Sequence, residues 1–302
     1  MPTLAVTRMA GRAMGVTCSV TVVGGNGVDI LRASLDEAAR LESLWSRFRS
    51  TSDISRLNAS RGGAVWVAGE TVSLLRHMQE AHAATDGLFD PTRLPAQLAS
   101  GDRSSMVDDG TDTTDIPAVA SHDIRDIEFE DDFVVRLPEG MLLDAGGIGK
   151  GLAADMIASR AMQQGAEGVC INIGGDMRAL GETPDPRGWT VMISAPDDYS
   201  RNIAGVCVRE GAVATSSVHA RRLAADATHI IDPGTDEPTD SGFAGATVIA
   251  GSGAWAEAFT KYVLLGDPAV TMPAMDSLGM GVLAVTRSGD TVHNSAWEKF
   301  AL

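Results

Sequence analysis

Apolar and polar positions separate strands from helices along most of this chain. Thr17 to Val23 is rich in β-branched residues and stops at Gly24-Gly25-Asn26-Gly27, which predicts a strand and a turn. From Val28 to about Arg49, the residues Ile30, Leu31, Leu35, Ala38, Leu41, Leu44 and Trp45 recur at helical spacing, so an amphipathic helix is expected there. Ser50 to Asn58 reads as a surface turn in which Ser52 or Asp53 can cap a short helix. A further helix is expected from Thr71 to Ala84, closed by Thr85-Asp86-Gly87. Leu88-Phe89-Asp90-Pro91-Thr92 then sets an acid beside a proline that fixes the backbone. Residues 100–121 are rich in Asp, Ser, Thr and Gly and read as a mobile loop or insertion. Short strands are predicted at 126–129, 133–136 and 141–143.

In the second half, a helix is expected from Lys150 to about Gln164 and a buried strand from Gly168 to Ile173. That strand runs into Gly174-Gly175-Asp176, a second glycine turn with an acid, which suggests a βα-type arrangement. Strands are predicted from Trp189 to Ser194, Ile203 to Arg209 and Ala212 to Ser216, with three hydroxyls at Thr215-Ser216-Ser217. Thr228 to Pro233 reads as an apolar strand carrying His229, followed by an acid and a proline. A glycine-bearing run over Ala246 to Gly253 leads into a helix from Ala254 to Leu265, and strands near 280–286 and 290–294 close the chain.

Composition narrows the function classes. A formal charge of −16 argues against nucleic acid as a partner, because such a surface needs a positive field over its footprint. A small anion remains open, since local glycines and a few cations can overcome the global field. Cys18, Cys170 and Cys207 lie in strand-like runs with no CxxC spacing, which suits buried thiols in a reducing compartment. The Met1 to Arg8 segment lacks a basic stretch followed by an apolar one, and no run of about 18 apolar residues occurs. The expectation is a soluble, cytoplasmic protein with no membrane insertion.

The candidate chemistry centres on Asp144-Ala145-Gly146-Gly147-Ile148-Gly149-Lys150-Gly151. Glycines there let a ligand approach the main chain, and the helix start that follows offers N–H groups and a positive dipole end to a phosphate. The stretch is neither a GxGxxG fingerprint in its usual context nor a GxxxxGK[ST] loop. Taken singly, Asp144 and Asp176 read as caps or turn residues and His229 as a hydrogen-bonded core histidine. There is no Gly-x-Ser-x-Gly and no metal-binding histidine pair, which leaves little support for a serine hydrolase or a zinc enzyme.

The motifs in their order carry more. Met14-Gly15, Ser52 to Asn58, Phe89-Asp90-Pro91-Thr92, Asp144 to Gly151, Asn172 to Asp176, Ala214 to Ser217, His229 to Pro233 and Ala256 to Lys261 together resemble the ApbE family, the FAD:protein FMN transferases. The resemblance covers about residues 14–266. It implies a single α+β domain over residues 1–302, with mixed sheets flanked by helices. It implies cleavage of FAD with the help of magnesium and attachment of FMN, through a phosphoester, to a threonine or serine of an acceptor protein. FAD hydrolysis to FMN and AMP, or flavin binding without catalysis, are the alternatives. By the same resemblance Met14, Phe48, Leu88, Phe89, Asp90, Asp144 and Lys150 contact the nucleotide. Gly147 lends a carbonyl to the metal, and His229 lies near the reacting phosphates.

Departures from the family pattern fall on the last helix. Where Ala-Asp-Ala-Leu-x-Thr is usual, with the acid and the threonine on magnesium, this chain has Ala256-Glu257-Ala258-Phe259-Thr260-Lys261. Residues 257 and 261 share a helix face. Three readings stay open: Glu257 and Thr260 hold the metal while Lys261 faces away; the Lys261 ammonium takes the metal's place beside Glu257; or the two form a surface ion pair. Catalytic roles are therefore expected at His229, Lys150 and Lys261, and metal ligation at Gly147, Glu257 and Thr260. Asp236 stands where a glycine is usual, and Phe48 where an aromatic with a polar handle is common.

Overall fold

A computed structural model describes residues 5–104, 114–115, 122–220 and 228–302. Most of the polar stretch expected over 100–121 lies outside these residues. In chain order the first elements are β1 (Val6–Ala13), β2 (Val16–Val23), α1 (Gly27–Trp45), α2 (Asp53–Asn58) and β3 (Ala64–Trp66). Next come α3 (Gly69–Ala84), α4 (Leu94–Ala99), β4 (Glu128–Asp131), β5 (Val134–Arg136) and α5 (Gly149–Gln163). They are followed by β6 (Gly168–Ile173), β7 (Asp176–Gly181), β8 (Trp189–Ser194), β9 (Asn202–Val208) and β10 (Gly211–Ser217). The chain finishes with β11 (Ile231–Asp232), β12 (Glu237–Pro238), β13 (Phe243–Ala250), α6 (Gly253–Leu265), α7 (Pro268–Ser277), β14 (Gly281–Thr286) and β15 (Thr291–His293). Single 3₁₀ turns occupy Ile124–Asp126 and Ser295–Lys299. The fold is α+β, and every registered pair of these strands is antiparallel.

Two compact units divide the chain. The first takes residues 1–39, 150–220 and 241–302 and is built on an eight-stranded sheet in the order β1-β2-β6-β7-β10-β13-β14-β15. Side chains alternate across a strand, so each strand supplies two faces. Met177 and Ala179 of β7, Val213 of β10 and Ile249 of β13 join Trp189, Ile193, Val206 and Val208 of the β8–β9 ribbon in one core with Trp297. The intervening positions, Asp176 and Arg178 of β7 and Ser216 of β10, point to the other face and meet helices α5 and α6.

The second unit takes residues 40–149 and 221–240, with a three-stranded sheet β3-β5-β4 and the short β11–β12 pair. Ile54 and Leu57 of α2 and Leu74, Leu75 and Met78 of α3 are fully buried, and Leu94 and Leu98 of α4 pack with Leu142. The stretch Ser50 to Asn58 is not a surface turn: Ser52 caps α2, and the buried Asp53 carboxylate accepts from Ala68 N (2.8 Å) and Thr71 Oγ1 (2.7 Å) at the start of α3. Residues 141–143 do not form a strand. The buried Asn58 amide instead takes both main-chain groups of Leu143, accepting from its N–H (2.8 Å) and donating to its carbonyl (2.9 Å). Nor does a helix follow Gly174-Gly175; the chain reverses there and β7 pairs back on β6 as a hairpin. His229 lies outside the regular strand, which is confined to Ile231–Asp232.

Candidate functional site

The glycine stretch leads directly into α5, whose second residue is Lys150. The Lys150 ammonium bonds to Asp176 Oδ2 (2.7 Å) and to Glu257 Oε1, the first carboxylate supplied by β7 and the second by α6. Glu257 is 1% exposed, and its other oxygen accepts from Gly151 N (2.8 Å), which caps the first turn of α5. The cap is returned: Asp155 of α5 accepts from Gly253 N (2.8 Å) and Ala254 N (2.9 Å) at the start of α6 and pairs with Arg178 Nε at 2.9 Å. Two helix starts thus hold each other by carboxylates. The backbones meet closely enough that a Cβ on Gly151 would lie 2.1 Å from the Gly253 carbonyl oxygen.

Lys261 enters the same cluster. Its ammonium lies 3.2 Å from Ser216 Oγ and 3.2 Å from the Glu257 main-chain oxygen. Donor counting fixes the direction of the hydroxyls. Thr260 gives its proton to the Glu257 carbonyl (2.6 Å), so Ser216 donates to Thr260 (2.7 Å) and accepts from Lys261. A surface ion pair between Glu257 and Lys261 is therefore not what forms: Glu257 is buried, its carboxylate meets Lys150, and Lys261 does not face away. Burial alone would pull the Lys150 pKa down, but the charges and hydrogen bonds of Asp176 and Glu257 more than offset that and hold it above the ordinary lysine value. Burial and the like charge of Glu257 push Asp176 up, against the opposing pull of Lys150 and Lys261.

The expected magnesium ligands can be tested on this geometry. Magnesium wants oxygen donors in octahedral array. Both Glu257 oxygens are engaged by Lys150 and Gly151, Asp176 by Lys150 and by Thr215 N (3.2 Å), and Thr260 by its own helix carbonyl and Ser216. Among the described residues, no group of three or more His, Cys, Asp or Glu side chains is placed to share an ion. Two ammonium groups already balance the two carboxylates, so this donor set does not fit a divalent cation. Gly147 belongs to the second unit, in the turn where Ile148 N and Gly149 N bond the Ala145 carbonyl.

The second unit gathers other expected residues around two arginines. Arg47, 2% exposed, pairs with Asp102 (2.9 Å) and lies 3.5 Å from Asp144 Oδ1, while its guanidinium stacks 4.4 Å above the Phe48 ring. Arg93 bridges Asp90 and Asp236, each at 2.9 Å. Asp90 also accepts from Thr92 N and Oγ1 (2.9 and 2.7 Å). Phe89 is buried, its N–H on Thr85 and its carbonyl on His82, with the half-buried Leu88 beside it. Asp236 adopts φ +59°, a left-handed conformation that Asp tolerates better than most residues, so the backbone expected of a glycine is kept. His229 is half-buried, and its carbonyl accepts from Gln97. In the first unit, Met14 and Gly15 form the β1–β2 hairpin turn with φ of +54° and +74°, a strained conformation for methionine.

A family model described as the ApbE family matches residues 14–284. The chain belongs to the ApbE family. A curated ApbE relative, the FAD:protein FMN transferase of Escherichia coli strain K12, is 23% identical over 310 residues, spanning 95% of this chain and 86% of the relative. The protein of the same name from Treponema pallidum is 27% identical over 268 residues, 78% of this chain and 72% of the relative. Among solved structures, the ApbE protein of Thermotoga maritima superposes with a TM-score of 0.86 at 23% identity, covering 99% of this chain and 100% of that one. The flavin transferase ApbE of Vibrio cholerae gives 0.79 at 20% identity, with 98% and 99% covered. These structures share the ApbE fold with this chain.

Asp176, Asp155, Ser216 and Gly253 were not singled out as site residues from the sequence. A signal existed for two of them, since Asp176 and Ser216 sit within motifs that match the ApbE pattern. Nothing local marks Asp155 or Gly253, whose importance arises only where α5 meets α6. Arg47 and Arg93 were missed because an arginine in a helical or loop run reads as a solvated charge, whereas both are here buried by carboxylates.

Proposed function

We infer that this chain transfers the FMN moiety of FAD to a serine or threonine hydroxyl of an acceptor protein. The observation that carries the reading is the Lys150 ammonium held by Asp176 and Glu257 at the start of α5, in a chain that matches the ApbE family nearly throughout. Curated relatives along most of its length bear the name FAD:protein FMN transferase. In the reaction the acceptor oxygen attacks the phosphorus on the FMN side of the pyrophosphate. The bond to the bridging oxygen breaks with its electron pair on AMP, and the hydroxyl proton passes to the departing phosphate or to water. Charge builds on phosphate oxygens during such a transfer, and a preorganised ammonium stabilises it without reorganising.

Within this reading Met14, Phe48, Leu88, Asp90 and Asp144 meet the nucleotide, with the buried Phe89 anchoring its segment, while Lys150 faces the phosphates and His229 stands near them. Strain at Met14 and the salt-bridged loops at Asp90 and Asp144 support that assignment, because such features hold side chains in one geometry. The cytoplasmic placement is supported by three free thiols, and no described helix is long and apolar enough to cross a membrane.

Incubation with FAD and an acceptor protein carrying an accessible threonine or serine should release AMP and add the mass of FMN to the acceptor in equal amounts. AMP without a mass gain would assign the activity to hydrolysis, with water as acceptor. Replacing Lys150 by Met should slow AMP release by about 10²- to 10³-fold, the usual loss when one preorganised donor is removed. Absence of both FAD binding and AMP release would overturn the reading.

A further inference from the structure

We propose that Lys261 stands in for a divalent cation, so that this chain handles the flavin pyrophosphate without a metal. The inference rests on the FMN-transfer reading and concerns how its phosphate site is charged. Lys261 occupies the helix position where the family pattern expects the metal-binding threonine, one turn after Glu257. The neighbouring hydroxyl cannot do that threonine's work, because Thr260 is fully buried and spends its proton on its own helix carbonyl.

Position and hydrogen bonding hold the ammonium in place. Ser216, having donated to Thr260, turns a lone pair to Lys261, and the Glu257 carbonyl accepts a second Lys261 N–H. The charge of Lys261 is felt by Asp176, the carboxylate that Lys150 also binds, so the two ammonium groups share one carboxylate field. Inserting a doubly charged ion here would set it against both ammonium groups and require Lys150 to release Asp176 and Glu257. An anionic phosphate meets the opposite situation: two ammonium groups and the N-terminal end of the 15-residue α5 all favour it. Part of the role a cation plays in neutralising a pyrophosphate is thereby built into the chain.

Three measurements on the full chain decide the matter. First, Mn²⁺ is titrated into the wild-type protein and free Mn²⁺ is followed by electron paramagnetic resonance; the expected trace is that of buffer alone. Second, FAD binding by flavin fluorescence and AMP release are compared in chelator and in Mg²⁺, with equal values expected. Third, Lys261→Met should weaken FAD binding by about tenfold or more, Lys261→Arg should retain most of it, and the double variant E257D/K261T should acquire a Mn²⁺ site and lose AMP release in chelator. Stoichiometric Mn²⁺ binding by the wild-type protein, or AMP release that stops in chelator and returns with Mg²⁺, overturns the proposal while leaving FMN transfer standing. Failure to bind FAD or release AMP under any condition overturns both. The wild-type titration needs no variant to fold.

Discussion

Asn58 shows how much one side chain can fix. Its amide supplies the hydrogen bonds that a neighbouring strand would have given Leu143, immediately before the acid of the glycine stretch. Replacement by Ala leaves a buried N–H and a buried C=O without that amide. The expected loss, about 2 to 4 kcal/mol in urea unfolding at neutral pH, follows from the penalty for unsatisfied buried groups. Asp236 makes the complementary point. A departure from a glycine looks damaging on paper, yet aspartate accepts the left-handed backbone and adds a salt bridge to Arg93. Lys261 belongs at this scale too, since one residue adds a second ammonium group to the cluster of Lys150, Asp176 and Glu257.

At the scale of elements, the crossing of α5 and α6 leaves no room for a side chain at Gly151 or Gly253. Gly151→Ala should destabilise the protein by about 3 kcal/mol or more in chemical denaturation, because the obstructing atoms are backbone and cannot rotate aside. Gly242→Ala, where a Cβ would meet nothing within 4 Å, should change stability by no more than about 0.5 kcal/mol. Long helices and β-branched strands were legible in the sequence: α1, α3, α5, α6, β2 and β6 form where they are expected, whereas β13, buried at every position, reads only as a glycine-bearing run. Elements that depend on neighbours were not. β7 (Asp-Met-Arg-Ala-Leu-Gly) is composed mostly of helix formers and acid, and becomes a strand because β6 and β10 flank it. α7 contains Pro273, which sequence reasoning takes as a breaker. The site divided in the same way. Lys150 and Glu257 stood in recognisable motifs, whereas the carboxylates and arginines that hold them and their neighbours come from distant positions.

For the molecule as a whole, a buried thiol contributes to the response to alkaline pH. Cys18 is fully buried in β2, and burial pushes its pKa from 9.0 up to about 11. A folded-state pKa raised above the unfolded value gives stability that is present below pH 9.0 and is lost as the pH climbs toward 11. The loss runs at about 1.4 kcal/mol per pH unit. Urea unfolding of the wild-type protein should fall more steeply than that of Cys18→Ala over this range, with equal slopes refuting the assignment.

The reciprocal caps of α5 and α6 also bear on how the chain is made. Gly151 and the Glu257 that caps it are 106 residues apart in sequence. At ribosomal rates of about 5–20 residues per second, α5 emerges roughly 5 to 20 s before the helix that completes its first turn. For that interval Lys150 waits without its Glu257 partner, and α6 cannot be capped by Asp155 until it is synthesised. The cluster of Lys150, Asp176 and Glu257 is therefore assembled late in translation, when α6 returns to a segment laid down near the middle of the chain.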